Sequence, residues 1–193
     1  MDRPGSTAKR MVVGYQKINP KLKQHSGTIP FMESTVERAA KVRFKSKMDA
    51  RSGFWQVENT EAAKDILAFV TPRGRVFKWN VMPFGVHSAP AVFQELMNKI
   101  LAELKIQPAC KHSFAKGEAV AEVHIDDVLL GANTRAEHDM LVDEFLGLCN
   151  KYSIRIKWEK CEWAKEEFEF LGFSIGYGWW SPVPSKVAPL LDF

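Results

Sequence analysis

The stretch Val120-Ala-Glu-Val-His-Ile-Asp126-Asp127-Val-Leu-Leu-Gly131 sets two adjacent carboxylates between two apolar runs. Short runs rich in Val, Ile and Leu form strands that are buried on both faces, and aspartate favours turns. The stretch therefore predicts a β-hairpin with Asp126 and Asp127 at its tip. Eight aspartates in 193 residues give about 0.3 adjacent pairs by chance, so the pair alone carries little weight. Its place between two buried strands carries more, and an ordinary polar turn is the competing explanation. Successive strand side chains point to opposite faces, so one of the two acids suffices to serve a shared site.

A second acid of the same kind ends Phe44-Lys-Ser-Lys-Met-Asp49, which reads as another strand. If that strand neighbours the hairpin, Asp49 and Asp126 meet at one sheet edge. Clustered carboxylates repel one another unless a cation neutralises them, and hard oxygen ligands suit Mg²⁺. Two such ions about 4 Å apart would activate a hydroxyl nucleophile and stabilise the leaving oxygen in phosphoryl transfer.

The rest of the chain alternates helix and strand signals. Residues 10–15 read as a strand after a Pro-Gly-Ser turn. Ser34 and Glu37 form a capping box that opens a helix ending near Lys41. Strands over 66–70 and 76–81 flank Pro72-Arg73-Gly74, a hairpin signal. Ser88 caps an amphipathic helix with Ala89, Phe93, Leu96, Met97, Ile100, Leu101 and Leu104 on one face. Residues 107–116 read as a loop. Thr134 and Glu137 cap a further helix that should bury Met140, Leu141, Phe145 and Leu148, and strands over 168–175 close the pattern. The class is α+β, an antiparallel sheet with helices on one face.

With 46% hydrophobic and 26% charged residues the chain should fold rather than stay disordered. Its net charge of +4 mildly favours a polyanionic partner. Cys110, Cys149 and Cys161 show neither zinc nor disulfide spacing, which suits a reducing intracellular setting. Cys110, His112 and His124 lack the second Cys or His pair that a zinc site needs. No signal peptide or membrane-spanning run is present in the sequence, so no membrane partner is expected.

Taken together, these residues resemble a known family. Lys47-Met-Asp49-Ala50-Arg-Ser-Gly-Phe54-Trp-Gln resembles the first catalytic motif of gypsy-type LTR retrotransposon reverse transcriptases, relatives of the retroviral enzymes. Val81-Met-Pro-Phe84-Gly85-Val-His-Ser-Ala-Pro90-Ala-Val-Phe93-Gln resembles their template- and nucleotide-positioning motif. His124-Ile-Asp126-Asp127 is similar to the aromatic-x-Asp-Asp hairpin, Lys160-Cys161-Glu to the late lysine motif, and Phe170-Leu-Gly172 to the primer-grip segment. The motifs occur in the family's order over most of the chain.

The resemblance implies a polymerase palm, a ferredoxin-like antiparallel sheet with helices on one face, together with partial fingers. The fingers would span about 1–43 and 60–85 and the palm about 44–59 and 86–180. It implies RNA-directed DNA polymerase activity using Mg²⁺ or Mn²⁺ on an RNA or DNA template with a primer and dNTP. Asp49, Asp126 and Asp127 would hold the metal, with the Ala50 carbonyl as a further ligand. Arg10 would contact the triphosphate, Phe54 would exclude a ribose 2′-hydroxyl, and Phe84 and Gly85 would line the incoming base pair. Lys160 would act as general acid for the pyrophosphate; an exposed surface lysine is its plain alternative, as core packing is for Phe54.

This chain departs from the family at His124, where Tyr or Phe is usual, and at Gly14 and Gln16, where an acid and an arginine are usual. It also lacks most of the N-terminal fingers, a full thumb and an RNase H region, so further Pol segments (thumb, RNase H, integrase) are expected in a longer chain. The rival reading is a catalytically inactive retroelement remnant that at most binds nucleic acid. An RNA-recognition module, for which Arg73-Gly-Arg-Val-Phe77 gives a faint match, lacks the required glycine-aromatic series.

Overall fold

The computed structural model describes residues 2–3, 6–9, 11–23, 29–105 and 119–184 of the 193. In chain order the elements are β1 (Asp2–Arg3), β2 (Ser6–Lys9), α1 (Met32–Ala39), β3 (Phe44–Asp49), α2 (Glu61–Ile66), β4 (Phe69–Val70), β5 (Val76–Phe77) and α3 (Ala89–Leu101). There follow β6 (Val120–His124), β7 (Asp127–Ala132), α4 (Arg135–Lys151), β8 (Glu162–Lys165), β9 (Phe168–Phe170), β10 (Phe173–Ile175) and β11 (Trp180–Pro182). The class is α+β. The chain divides into two compact units, Met1–Gly27 with Ser52–Phe93 and Thr28–Arg51 with Gln94–Phe193.

The second unit is built on an antiparallel sheet in the order β6-β7-β3-β8. Its register puts Lys45, Lys47 and Asp49 of β3 on one face with Gly131, Leu129 and Asp127 of β7 and Val120, Glu122 and His124 of β6. That face carries α1 and the small sheet β11-β10-β9, whose Val36, Ala39, Phe168, Phe170 and Ile175 close over Val120 and Leu129. Arg38 of α1 reaches Glu122 through two hydrogen bonds, one of 2.9 Å to Oε2. Gly131 allows the close approach of the α1–β3 connection: a Cβ there would lie 2.6 Å from Val42 Cγ2 and 3.2 Å from the Phe44 carbonyl oxygen.

The opposite face holds Ser46 and Met48, both fully buried, beneath α4. Helix α4 presents His138, Leu141, Val142, Phe145 and Cys149 at 3.6-residue spacing. His138 Nε2 sits 2.9 Å from Ser46 Oγ, which also accepts the Ala164 N–H at 2.9 Å, so one buried hydroxyl joins α4, β3 and β8. The helix starts where the sequence predicts: Thr134 Oγ1 accepts the Glu137 N–H at 3.2 Å. Fully burying a Leu or Phe side chain contributes about 1.5–3 kcal/mol, and Leu129, Leu130, Leu141 and Phe145 are all fully buried here.

In the first unit, a row of rings runs from the turn at Gly53–Gln56 to the β4–β5 hairpin. Phe54 packs on Phe84 and Phe93 with centroids 5.6 and 6.2 Å away, and Trp55, Trp79, Phe69 and Phe77 continue the row. The hairpin turns at Gly74, whose φ of 75° suits glycine.

Several local expectations are corrected. Residues 11–15 are irregular: Met11 and Val12 are exposed, and the buried Tyr15 bonds the Leu67 carbonyl at 2.9 Å instead of joining a ladder. Helix α1 starts at Met32, because the Ser34 hydroxyl turns back to the Phe31 carbonyl and no side chain caps the helix. Ile66 ends α2, which Thr60 caps by accepting the Ala63 N–H with its hydroxyl; the strand expected from 66 starts only at Phe69. Met140 is exposed, lying about 100° around the helix from the buried Leu141 and about 140° from Phe145. The loop expected over 107–116 lies outside the described residues.

Candidate active site

The hairpin that decides the fold also builds the site. Strands β6 and β7 pair from Val120↔Gly131 to His124↔Asp127, leaving Ile125 and Asp126 as a two-residue turn. Ile125 has φ of 56° while Asp126 is not in the positive-φ region, the sign pattern of a type II′ turn. Glycine is the usual residue at that first position, and a β-branched side chain there is strained. The turn is held from two sides. Gln94, fully buried, accepts the Ile125 N–H at 2.8 Å and donates to the Val123 carbonyl at 2.9 Å. Ala50 N–H donates to the Asp126 carbonyl at 2.8 Å.

The register pairs Asp49 with Asp127, rather than with Asp126. Both side chains leave the same sheet face at the same end, and they line a cleft of about 420 Å³ with Lys47, Lys160, Glu169 and Gly172. Burial raises the Asp127 carboxyl above the usual carboxylate range, and the charge of Asp49 raises it further. Lys47, Lys160 and His124 pull in the other direction. Lys160 Nζ lies 3.0 Å from Asp49 Oδ2, while Lys47 Nζ holds Glu162 and the Glu169 carbonyl, each at 2.8 Å.

The donor chemistry fits a divalent ion. Two hard carboxylates face one cleft, they repel, and a cation already stands against one of them. Mg²⁺ is commonly held by one or two carboxylates and completes its shell with water and substrate phosphates. Asp49 and Asp127 are the pair placed to do this, with Asp126 on the adjoining turn. Among the described residues no group of three or more His, Cys, Asp or Glu side chains is placed to hold a metal ion, so the structure brings together Asp49 and Asp127 and leaves Asp126 outside the cleft they line.

Other expected site residues are distributed as follows. Ala50 is buried at the end of β3 beside Asp49, bridged to Ile156. Phe54, Phe84 and Gly85 lie in the first unit. Gly85 has φ of 93°, and a Cβ there would sit 3.2 Å from the Val13 carbonyl oxygen, so the position needs glycine. Asn19 braces that loop by donating to the Gly85 carbonyl and accepting the His87 N–H, both at 3.0 Å. Arg10, Cys110 and His112 lie outside the described residues. Sequence reasoning gave no role to Lys47 and Gln94, which stand inside the quoted motifs, and passed over Asn19. Strand alternation gave a signal for Lys47, two residues before Asp49; long-range amide braces leave no local signal.

The family model for reverse transcriptase (RNA-dependent DNA polymerase) matches residues 3–175. The chain belongs to the reverse transcriptase family. It is 32% identical over 174 residues to the genome polyprotein of Petunia vein clearing virus, covering 90% of this chain and 7% of that one. It is 32% identical over 170 residues to the enzymatic polyprotein of Figwort mosaic virus, covering 88% and 23%. The chain thus spans about a quarter or less of these relatives. Among solved structures, a foamy viral protease-reverse transcriptase in complex with RNA/DNA hybrid superposes with TM-score 0.78 at 20% identity, over 95% of this chain and 23% of that one. A second form with double-stranded DNA gives 0.80 at 21% identity, over 95% and 30%. These structures establish the fold, a reverse transcriptase palm-type domain. Among the described residues no helix is long and apolar enough to cross a membrane.

Proposed function

We propose that this chain is the partial fingers and palm of an RNA-directed DNA polymerase, the first unit supplying fingers and the second the palm. The observation that carries the reading is the cross-strand pair Asp49–Asp127 in a cleft that also holds Lys160. Asp49, Asp127 and Asp126 would hold Mg²⁺ or Mn²⁺, and the Ala50 carbonyl stands next in the chain as a further ligand. When bound, such ions lower the pKa of a primer hydroxyl and neutralise charge on the phosphates, the two-metal form of nucleotidyl transfer.

The chain's own residues do the rest. Asp49 and Asp127 supply fixed negative charge at the sheet edge. Lys160 carries an ammonium beside them, suited to give a proton to the leaving pyrophosphate. The strained turn fixes the Asp126 backbone. Phe54, braced by Phe84 and Phe93, is rigid enough to act as a steric filter on the sugar. Gly85 and Phe84 are assigned to the incoming base pair and Arg10 to the triphosphate.

The foamy viral complexes with RNA/DNA hybrid and double-stranded DNA support a primer–template as partner. The length of the viral polyproteins supports further Pol segments beside this one. A gypsy-type LTR retrotransposon origin rests on the motif spellings; plant viral polyproteins share the same domain at about a third identity.

The test is primer extension on an RNA template with dNTP and Mg²⁺ or Mn²⁺, by the chain and by Asp126→Asn. Extension that needs the metal and disappears in the variant supports the reading. Binding of primer–template without extension under either metal would leave the inactive remnant instead.

A further inference from the structure

The catalytic hairpin is held in its strained form by a side chain that the motif comparison left without a role. Gln94 is fully buried in α3, yet all of its described hydrogen bonds lead to polar groups of specific kinds. Its Oε1 accepts the N–H of Ile125, and its Nε2 donates to the Val123 carbonyl and to Asn98 Oδ1 at 3.1 Å. A carboxamide carries one acceptor and one donor group in a fixed fork. Here the fork spans the backbone on the two residues flanking His124, one of them the positive-φ residue. A backbone bond to a fully buried amide is shielded from water, and the interior strengthens it.

The turn needs such a brace because its sequence opposes its shape. Ile125 adopts φ of 56°, a region where glycine is comfortable and a β-branched residue is not. Strain of this kind persists only where surroundings over-determine it. Asp126 is the next residue, and Asp127 the one after. A turn that relaxes to negative φ at Ile125 re-aims the backbone of both.

We propose that Gln94 is a positioning residue for the metal site: its carboxamide clamps Ile125 in the left-handed region and so aims the Asp126–Asp127 pair. This rests on the assignment of those aspartates as metal ligands. A side chain similar in length without the fork, as in Gln94→Met, lets the turn relax and spreads the carboxylates. Placing glycine at the strained position removes the need for the clamp, so Ile125→Gly compensates for the loss of Gln94.

The experiment uses the full chain and Mn²⁺ alone, read by electron paramagnetic resonance, with hydrogen exchange of the Ile125 amide measured in parallel without metal. Gln94→Met should raise the Mn²⁺ dissociation constant at least about tenfold, equivalent to 1.4 kcal/mol, and speed Ile125 exchange by about a hundredfold. The double variant Gln94→Met with Ile125→Gly should recover most of the Mn²⁺ affinity. Met97→Ala, which empties a fully buried position one turn along the same helix, should lower stability while leaving Mn²⁺ affinity as in the wild type. Wild-type affinity in Gln94→Met, no recovery in the double variant, or equal weakening by Met97→Ala would each overturn the proposal. If Gln94→Met fails to fold, the double variant carries the test against Ile125→Gly alone: equal Mn²⁺ affinity supports the clamp, and a weaker double variant overturns it. Asp127→Asn separates the two levels: unchanged Mn²⁺ affinity there defeats the metal assignment itself, whereas weakened affinity there with intact affinity in Gln94→Met defeats only the clamp.

Discussion

Lys160 Nζ lies 3.0 Å from Asp49 Oδ2, although 111 residues separate the two in sequence. The ammonium is more than half exposed and the carboxylate about a quarter exposed, so the pair is screened by water. Two elements bring it together: β3 ends at Asp49, and the turn after Ile156, which bridges Ala50, returns the chain past the same edge. Lys157 N–H donates to the Asp49 carbonyl at 2.8 Å and anchors that return.

Lys160→Met should therefore separate chemistry from stability. An exposed ion pair contributes only about 0–1 kcal/mol, so urea unfolding should shift little. Loss of a proton donor lowers a rate by about 10²–10⁴-fold. Single-turnover nucleotide incorporation by a polymerising form of the chain is the measurement. An unchanged rate would return Lys160 to the status of a surface lysine.

Asp127 gives a pH signature. Its folded-state pKa is raised, chiefly by burial and then by Asp49, so folding favours the protonated form. The stability this contributes is fully present below the unfolded value near 3.8 and is lost as pH rises through the higher folded value. Asp127→Asn mimics the protonated group. In the presence of a chelator it should melt at a higher temperature than wild type at pH 7, and the difference should vanish below the unfolded value. A variant less stable than wild type at pH 7 would mean that the charge of Asp127 is already compensated.

Much of this site was legible in the sequence. Asp49, Asp126 and Asp127 each end or flank an apolar run, and such runs fix strand ends. Register was not legible: whether Asp49 meets Asp126 or Asp127 depends on a turn with no Gly or Asn at its left-handed position. Ile125 gives no local sign of it, since the conformation is imposed by Gln94 from another element. Local signals also misled at α2, whose last residue Ile66 reads as the start of a strand, and at 11–15, whose apolar residues have no strand partner among the described residues. Burial on α4 shows the reverse case. Its 3.6 period was readable, and only Met140 was put on the wrong side.

Phe54 distinguishes a nucleotide filter from a core ring. Its ring packs on Phe84 and Phe93 at 5.6 and 6.2 Å, so truncation to Val must cost some stability. A large-to-small change at a packed aromatic costs up to about 3–5 kcal/mol. If Phe54 also faces the sugar, Phe54→Val should raise rNTP incorporation relative to dNTP on the same template by more than it slows DNA synthesis. A fixed ratio with both rates depressed would make Phe54 structural.

The central claim is that the Asp49–Asp127 edge holds a catalytic divalent ion. The most direct measurement is anomalous scattering from Mn²⁺ in crystals of the chain with primer–template and dNTP. The account predicts a peak shared by the Asp49 and Asp127 carboxylates, lost in Asp127→Asn. A peak on other side chains, or none at this edge while Mn²⁺ binds elsewhere, would contradict it.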